Sequence, residues 1–217
     1  MNVEQARFNM IEQQIRPWDV LDPDVLQLLS LVRREDFVPP ALRHLAFSDT
    51  ELPLKPGRSL LQPKVEARLL QELQLKPSDR VLELGTGSGY LTALMAHQAE
   101  HVLSLEPDAE LAEAAQVRLR RLGLNRAQVQ VSALQAGAPL LGPFDAIVLT
   151  GSVPEVPAAL LAQLKPGGRL LAIVGQEPVM QAVLLRQAGA GQAARTELFD
   201  TVVARLPGTT EPSAFAF

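Results

Sequence analysis

The sequence predicts an α/β protein built on a doubly wound, mostly parallel sheet that carries an N-terminal helical cap. Three observations lead to this prediction. From residue 76 onward, short apolar runs alternate with amphipathic segments, a rhythm of strand, turn and helix that is typical of parallel sheets covered on both faces. A glycine-rich turn joins the first of these runs to the first of these helices. Before residue 76, apolar residues recur instead at spacings of three and four, as they do in helices.

Composition limits the function classes. The 217 residues are 47% hydrophobic and 20% charged, which suits one large folded domain or a domain with a helical appendage. There is no cysteine, so disulfides, thiolate metal sites and cysteine nucleophiles are excluded. The net charge of −4 argues against broad nucleic-acid binding. The N-terminus has no basic cluster followed by an apolar run, and no apolar stretch approaches the roughly 20 residues that cross a bilayer. We therefore expect a soluble, cytoplasmic protein.

The chain divides near residue 76 into a helical cap with a substrate-side loop (1–75) and a cofactor-binding domain (76–217). In the cap, Phe8, Ile11 and Ile15 predict one face of a helix that Pro17 ends. Asp22 precedes a proline and predicts an N-cap for the next helix. Residues 47–60 are predicted as loop, and a further helix is expected to begin after residue 62.

In the second part the pattern predicts alternating elements. The expected strands are 80–84, 102–106, 129–131, 146–149 and 169–174, with helices at 90–97, 109–122 and 156–163. An edge strand is expected at 201–206. Residues 187–195 are rich in alanine and glycine and are predicted to be loose.

The glycine-rich turn is the strongest chemical signal. Residues 83–89 read Glu-Leu-Gly-Thr-Gly-Ser-Gly, and glycines at alternate positions let the backbone turn tightly and approach a ligand. A dinucleotide fingerprint would place glycine at position 90, where Tyr90 stands. The carboxylate of Glu83 also disfavours a phosphate and favours a ligand with a sulfonium or ammonium group.

Glu106 ends the second predicted strand, about 20 positions beyond Gly85, where an acidic residue accepts hydrogen bonds from the ribose hydroxyls of a nucleoside. The loop, Glu83 and Glu106 together resemble the S-adenosyl-L-methionine site of class I methyltransferases. The alternative is a glycine-rich turn beside an exposed glutamate at a strand end.

Longer segments resemble protein-L-isoaspartate O-methyltransferases over roughly residues 20–175. Residues 144–147, 153–160 and 163–170 match segments of that family, and residues 57–63, Gly-Arg-Ser-Leu-Leu-Gln-Pro, stand where the family has Gly-Gln-Thr-Ile-Ser-Gln-Pro. The resemblance implies S-adenosylmethionine-dependent methylation of a carboxylate on isoaspartyl residues of damaged proteins. It implies a protein or peptide substrate and no metal, nucleic acid or membrane. The cofactor-binding residues that it implies are Glu83, Gly85, Thr86, Gly87, Ser88, Gly89, Glu106, Ala133, Leu134 and Thr150.

Two positions depart from the family pattern. The family's threonine in the 57–63 segment falls on Ser59, but its active-site serine falls on Leu61. The family's aspartate that faces the adenine amino group falls on Ala133. Ser59 and Leu61 are therefore the catalytic candidates. The alternatives are a methyltransferase for another small or peptidyl acceptor, favoured by Leu61, and a non-catalytic cofactor-binding protein, favoured by Ala133.

Three other features have competing interpretations. His97 and His101 are four residues apart but straddle a predicted helix end and strand start, so a metal site is disfavoured. The arginines on the helix at 109–122 fit a solvated face better than an RNA site. Trp18 is expected to pack the cap onto the sheet, with the substrate mouth as the alternative.

Overall fold

The computed structural model describes residues 2–189 and 192–209. A two-stranded antiparallel hairpin precedes a seven-stranded sheet. The strands are β1 (Leu52–Lys55) and β2 (Arg58–Leu60) in the hairpin, followed by β3 (Arg80–Leu84), β4 (His101–Glu106), β5 (Ala127–Val131), β6 (Phe144–Val153), β7 (Leu164–Gln176), β8 (Val179–Gly189) and β9 (Gln192–Asp200) in the sheet. The α-helices are α1 (Val3–Met10), α2 (Pro23–Leu31), α3 (Pro63–Leu73), α4 (Tyr90–Gln98), α5 (Ala109–Arg121) and α6 (Ala158–Leu161).

The large sheet has the strand order β5-β4-β3-β6-β7-β8-β9. The strands from β5 to β7 are parallel, whereas β8 and β9 are antiparallel to their neighbours. The chain moves outward from β3 through β4 to β5 and then returns to β6 on the other side of β3. This reversal makes the carboxyl end of β3 the switch point at which doubly wound folds bind ligands. The predicted doubly wound, mostly parallel sheet is confirmed.

Alternation along the strands divides the core into two layers. In β3, Val81 packs on the face that α1 to α4 cover, while Leu82 and Leu84 pack on the face that α6 covers. Glu83 belongs by the same alternation to the face that carries the N-terminal helices. A carboxylate is thus buried at the centre of the sheet, beneath the cap.

The N-terminal region follows the prediction with one correction. The first helical segment runs on past α1 as a π-turn (Ile11–Ile15) and a 3₁₀ turn (Arg16–Trp18). Phe8 does not share its buried face, because 56% of its surface is exposed. The Asp22 carboxylate caps α2 by accepting two backbone N–H groups, as expected. Trp18 packs edge-on against Phe199 of β9 with ring centroids 5.2 Å apart, so it joins the cap to the sheet.

Four segment predictions were wrong. Residues 47–60 contain the β1–β2 hairpin, and residues 187–195 lie mainly in β8 and β9, with 190–191 outside the described residues. The helix expected at 156–163 is reduced to α6. Residues 201–206 form only a single parallel bridge, between Ser152 and Arg205. Backbone pairing explains these strands, since β8 pairs with β7 and β9 with β8, and such hydrogen bonding does not require a hydrophobic pattern. Within the described ranges, no helix is long and apolar enough to cross a membrane.

Candidate active site

A cleft that is open to solvent at its mouth lies at the switch point. One wall is the glycine loop after β3, and the opposite wall is the hairpin strand β2 with the segment that leads into α3. The third wall is the end of β6 together with residues 204–207. The cleft therefore joins the predicted cofactor loop to the predicted substrate-side loop.

The glycine loop is held open by left-handed backbone conformations. Gly85, Gly87 and Gly89 have φ angles of +102°, +54° and +83°, a region that L side chains rarely adopt. A Cβ on Gly85 would stand 2.5 Å from the Thr150 hydroxyl, and one on Gly89 would stand 3.2 Å from the Cβ of Ala115. Positions 85 and 89 need glycine because a side chain would crowd the neighbouring residues. Position 87 needs glycine mainly because its backbone is left-handed.

Glu83 lies on the floor of the cleft and is fully buried. Its Oε2 accepts hydrogen bonds from Thr92 Oγ1 at 2.5 Å and Ser104 Oγ at 2.6 Å. Its Oε1 has no hydrogen-bond partner among the described residues. Burial raises the pKa of Glu83 to about 8, because desolvation outweighs the two hydroxyl donors. A ligand group that brings a positive charge would stabilise the ionised form of this carboxylate.

Glu106, at the end of β4, is also fully buried. Its Oε1 accepts the backbone N–H of Asp108 at 3.1 Å, and its Oε2 accepts that of Gly87 at 2.9 Å. Its Oε2 also accepts a hydrogen bond from Arg58 Nη2 at 2.5 Å. Arg58 lines the cleft, so its guanidinium stands between the cleft and Glu106.

The acceptor side of the cleft is also acidic. Glu66 on α3 is buried in an ion pair with Arg34, which also donates to the Leu61 carbonyl at 2.5 Å. Desolvation raises the pKa of Glu66 to about 7, despite that partner. Glu51 accepts hydrogen bonds from the Ser59 hydroxyl and the Ala204 backbone, and burial raises its pKa as well. The hydroxyl of Ser59 is therefore already engaged.

The family model described as Protein-L-isoaspartate(D-aspartate) O-methyltransferase (PCMT) matches residues 5–204 of this chain. The chain belongs to the PCMT family. A protein-L-isoaspartate O-methyltransferase of Yersinia enterocolitica is 43% identical over 171 residues, which are 79% of this chain and 82% of that protein. Its counterpart in Yersinia pestis is 42% identical over the same fractions of the two chains. Membership confirms the expected enzyme class, an S-adenosylmethionine-dependent O-methyltransferase.

Solved structures agree at the level of the fold. A Plasmodium falciparum protein-L-isoaspartate O-methyltransferase, crystallised with S-adenosyl-L-homocysteine, superposes with a TM-score of 0.79 at 22% identity. That match covers 95% of this chain and 98% of the other. A second protein-L-isoaspartate O-methyltransferase superposes with a TM-score of 0.78 at 23% identity, and this match covers 95% of this chain and 66% of the other. The class I methyltransferase fold predicted from the sequence is therefore confirmed.

Within this PCMT-family fold, most of the predicted site residues meet at the cleft. Those that line it are Ser59, Leu61, Glu83, Gly85, Thr86, Gly87, Ser88 and Thr150. Glu106 is bonded to Arg58, and Gly89, the N-cap of α4, packs against Ala115 of α5. Ala133 is exposed beyond the end of β5, next to the strand that carries Glu106, whereas Leu134 is buried in the core. Neither Ala133 nor Leu134 lines the cleft.

Several lining residues were not singled out from the sequence. The C-terminal segment reaches the cleft because the Ser152 backbone pairs with Ala204 and Leu206. A Cβ on Gly151 would stand 2.8 Å from the Leu206 backbone, so only glycine at this position lets the C-terminal segment lie against β6. This glycine is the feature of the sequence that could have indicated the contact. Glu66 was detectable as a carboxylate on the apolar face of α3.

The structure also bears on the arginines of α5 and on the histidine pair. Arg120 and Arg121 are exposed, as expected of a solvated face, but Arg118 is only partly exposed. It donates to the Ser88 carbonyl at 2.6 Å and lies over the Phe37 ring, so it supports the glycine loop. Burial lowers the pKa of His97. In the part of the chain that the structure describes, no group of three His, Asp or Glu side chains is arranged to hold a metal.

Proposed function

We propose that this PCMT-family protein transfers the methyl group of S-adenosyl-L-methionine to a free carboxylate of L-isoaspartyl residues in damaged proteins. The observation that carries the proposal is the pair of buried carboxylates, Glu83 and Glu106, on either side of the glycine loop at the switch point. The family model that spans residues 5–204 supports the substrate class.

The residues present fit the cofactor. Glu83 lines the cleft and has one carboxylate oxygen without a partner, which a cationic amino or sulfonium group of the cofactor would satisfy. We propose that Glu106 receives the ribose hydroxyls, and that the loop from Gly85 to Ser88 lies along the nucleoside. When bound, the cofactor supplies an electrophilic methyl group whose carbon–sulfur bond breaks toward sulfur as the acceptor oxygen bonds to the carbon.

The protein's own contribution is alignment and exclusion of water. A carboxylate acceptor is already ionised at neutral pH, so no side chain has to remove a proton. The β2 wall and residues 204–207 enclose the cleft from both sides of the glycine loop, which suits a reaction that depends on proximity. Ser59 is proposed to orient the acceptor after exchanging its bond to Glu51.

Leu61 favours a second candidate function. Its side chain lines the cleft and is only 4% exposed, so the acceptor meets an apolar group where the family has a hydroxyl. A methyltransferase for a different small or peptidyl acceptor follows if this apolar wall decides specificity.

Cytoplasmic location stays a prediction from the sequence.

Methyl transfer to a synthetic isoaspartyl peptide tests the proposal. The matched control is the same peptide with an ordinary aspartate, since the two differ only in which carboxyl group forms the backbone. We expect methyl ester on the isoaspartyl peptide alone. Binding of S-adenosyl-L-homocysteine without transfer to either peptide would favour the second candidate, and absence of binding would contradict the cofactor assignment.

A further inference from the structure

The hairpin is attached by two cations to the carboxyl end of β4 and the start of α5. Lys55 at the end of β1 pairs with Asp108 at 2.8 Å and with Glu110 at 2.7 Å. Arg58 at the start of β2 pairs with Glu106. The tip between them is open, since nothing lies within 4 Å of a Cβ placed on Gly57. The hairpin thus forms a strap across the cofactor end of the cleft.

Glu106 has too few acceptor sites for every partner that it is assigned. A carboxylate offers about four lone-pair directions. The N–H groups of Gly87 and Asp108 and the guanidinium of Arg58 use three of them. Two ribose hydroxyls need two more, so one existing donor has to leave. The two backbone donors are held by the glycine loop and the start of α5, whereas Arg58 is a side chain with rotatable bonds.

A released Arg58 has an obvious use at the acceptor end. Glu66 lines this part of the cleft and Glu51 is bonded to Ser59 beside it, and each repels an incoming carboxylate when it is ionised. Arg58 is adjacent to the acceptor candidate Ser59 on β2. Arg205 also lines the cleft, but its Nη1 donates to the Gly175 carbonyl at 2.7 Å. Arg34 is occupied by Glu66.

We propose that Arg58 is the residue that binds the acceptor carboxylate, and that it becomes available when the cofactor's ribose replaces it on Glu106. This rests on the proposed function. Cofactor binding then precedes acceptor binding, because the same guanidinium blocks the ribose site in the free protein. The guanidinium holds one carboxylate oxygen and leaves the other free to attack the methyl carbon. The family segment quoted above has glutamine at this position.

Calorimetry on Arg58→Gln tests the exchange without any turnover. Removing a charge-assisted competitor for Glu106 should tighten S-adenosyl-L-homocysteine binding by about tenfold or more. The matched control is Lys55→Gln, which removes the same charge from the same hairpin without touching Glu106, and it should change this affinity by less than about threefold. If Arg58 instead stays in place and orients Glu106, the Arg58→Gln variant should bind S-adenosyl-L-homocysteine more weakly. Weaker or unchanged binding in this variant would therefore overturn the exchange.

A second measurement addresses the acceptor. The wild type should bind an isoaspartyl peptide with S-adenosyl-L-homocysteine present and at least about tenfold more weakly without it. Arg58→Gln should lose that gain, whereas Arg58→Lys, which keeps a cation, should retain most of it. Peptide affinity that is unchanged in Arg58→Gln would overturn the acceptor role. A wild type that binds neither molecule would instead contradict the proposed function itself.

Discussion

Arg34 and Glu66 form an ion pair inside the cap that is almost entirely sealed from water, with side chains 1% and 4% exposed. The guanidinium also donates to the carbonyls of Ala46 and Leu61 and lies over the ring of Tyr90. One buried side chain therefore joins the turn after the second helix, the acceptor-side loop and the α3 and α4 helices. Such a pair is costly to break, because the remaining charge has no solvent.

Replacing Arg34 with methionine should destabilise the protein strongly. The change leaves Glu66 and two carbonyls without their donor, and breaking a buried pair in this way costs about 3–5 kcal/mol. Urea denaturation measures the loss. Arg16→Met is the control, since Arg16 is 48% exposed and its contact with Glu12 is 3.5 Å long, and it should cost less than about 1 kcal/mol. Equal midpoints for the two variants would contradict the structural role of Arg34.

Replacing Glu106 with alanine should weaken cofactor binding at least about tenfold. Each hydrogen bond to a charged acceptor contributes about 1.5–3 kcal/mol, and the substitution removes the acceptor proposed for both ribose hydroxyls. Calorimetry with S-adenosyl-L-homocysteine measures the change. Glu110→Ala removes a nearby exposed carboxylate that contacts Lys55 instead, and it should leave the affinity unaltered. A folded Glu106→Ala protein with wild-type affinity would exclude Glu106 from the site.

Replacing Leu61 with serine should have two opposed effects. Loss of a buried leucine from the cap core should cost about 2–5 kcal/mol of stability. If the chain methylates isoaspartate, the restored hydroxyl should raise transfer to the isoaspartyl peptide while leaving cofactor affinity nearly unchanged. Leu60→Ser is the matched control, because Leu60 is equally buried and also lines the cleft. Destabilisation without a gain in transfer would favour a different acceptor.

Buried Glu83 should make the cofactor-free protein less stable as the pH rises. Its pKa is raised in the folded state to about 8, above the ordinary value of 4.5, because burial disfavours the ionised form. The folded form thus binds more protons than the unfolded one above pH 4.5. The stability that this contributes is fully present below that pH and is lost as the pH rises through about 8.

Thermal melting from pH 5 to pH 8.5 measures this loss, and Glu83→Gln should flatten the curve. Glu110→Gln, which alters an exposed carboxylate, should leave the slope as it is. Cofactor binding near pH 7 should release protons, because a cationic ligand group favours ionised Glu83. Calorimetry in buffers of different ionisation enthalpy detects the release. If the melting temperature of the wild type and of Glu83→Gln falls equally with pH, Glu83 does not cause the loss of stability.

Local chemistry was enough to predict the centre of the fold and the cofactor side of the cleft. The β3 strand, its glycine turn and Glu106 are encoded by short-range features, namely an apolar run, glycines at alternate positions and a carboxylate at a strand end. The N-cap at Asp22 is equally local. The family resemblance rested on segments of the same kind, and the match to residues 5–204 confirmed it.

The sequence by itself therefore determined the fold class, the family and the position of the glycine-rich turn. Only the tertiary structure decided that β8 and β9 extend the sheet, because β8 pairs with β7 and β9 with β8 through backbone hydrogen bonds. It alone placed residues 204–207 in the cleft and set Arg58 against Glu106. These contacts join parts of the chain that lie far apart in sequence, and pairings of this kind have no signature in the local spacing of residue types.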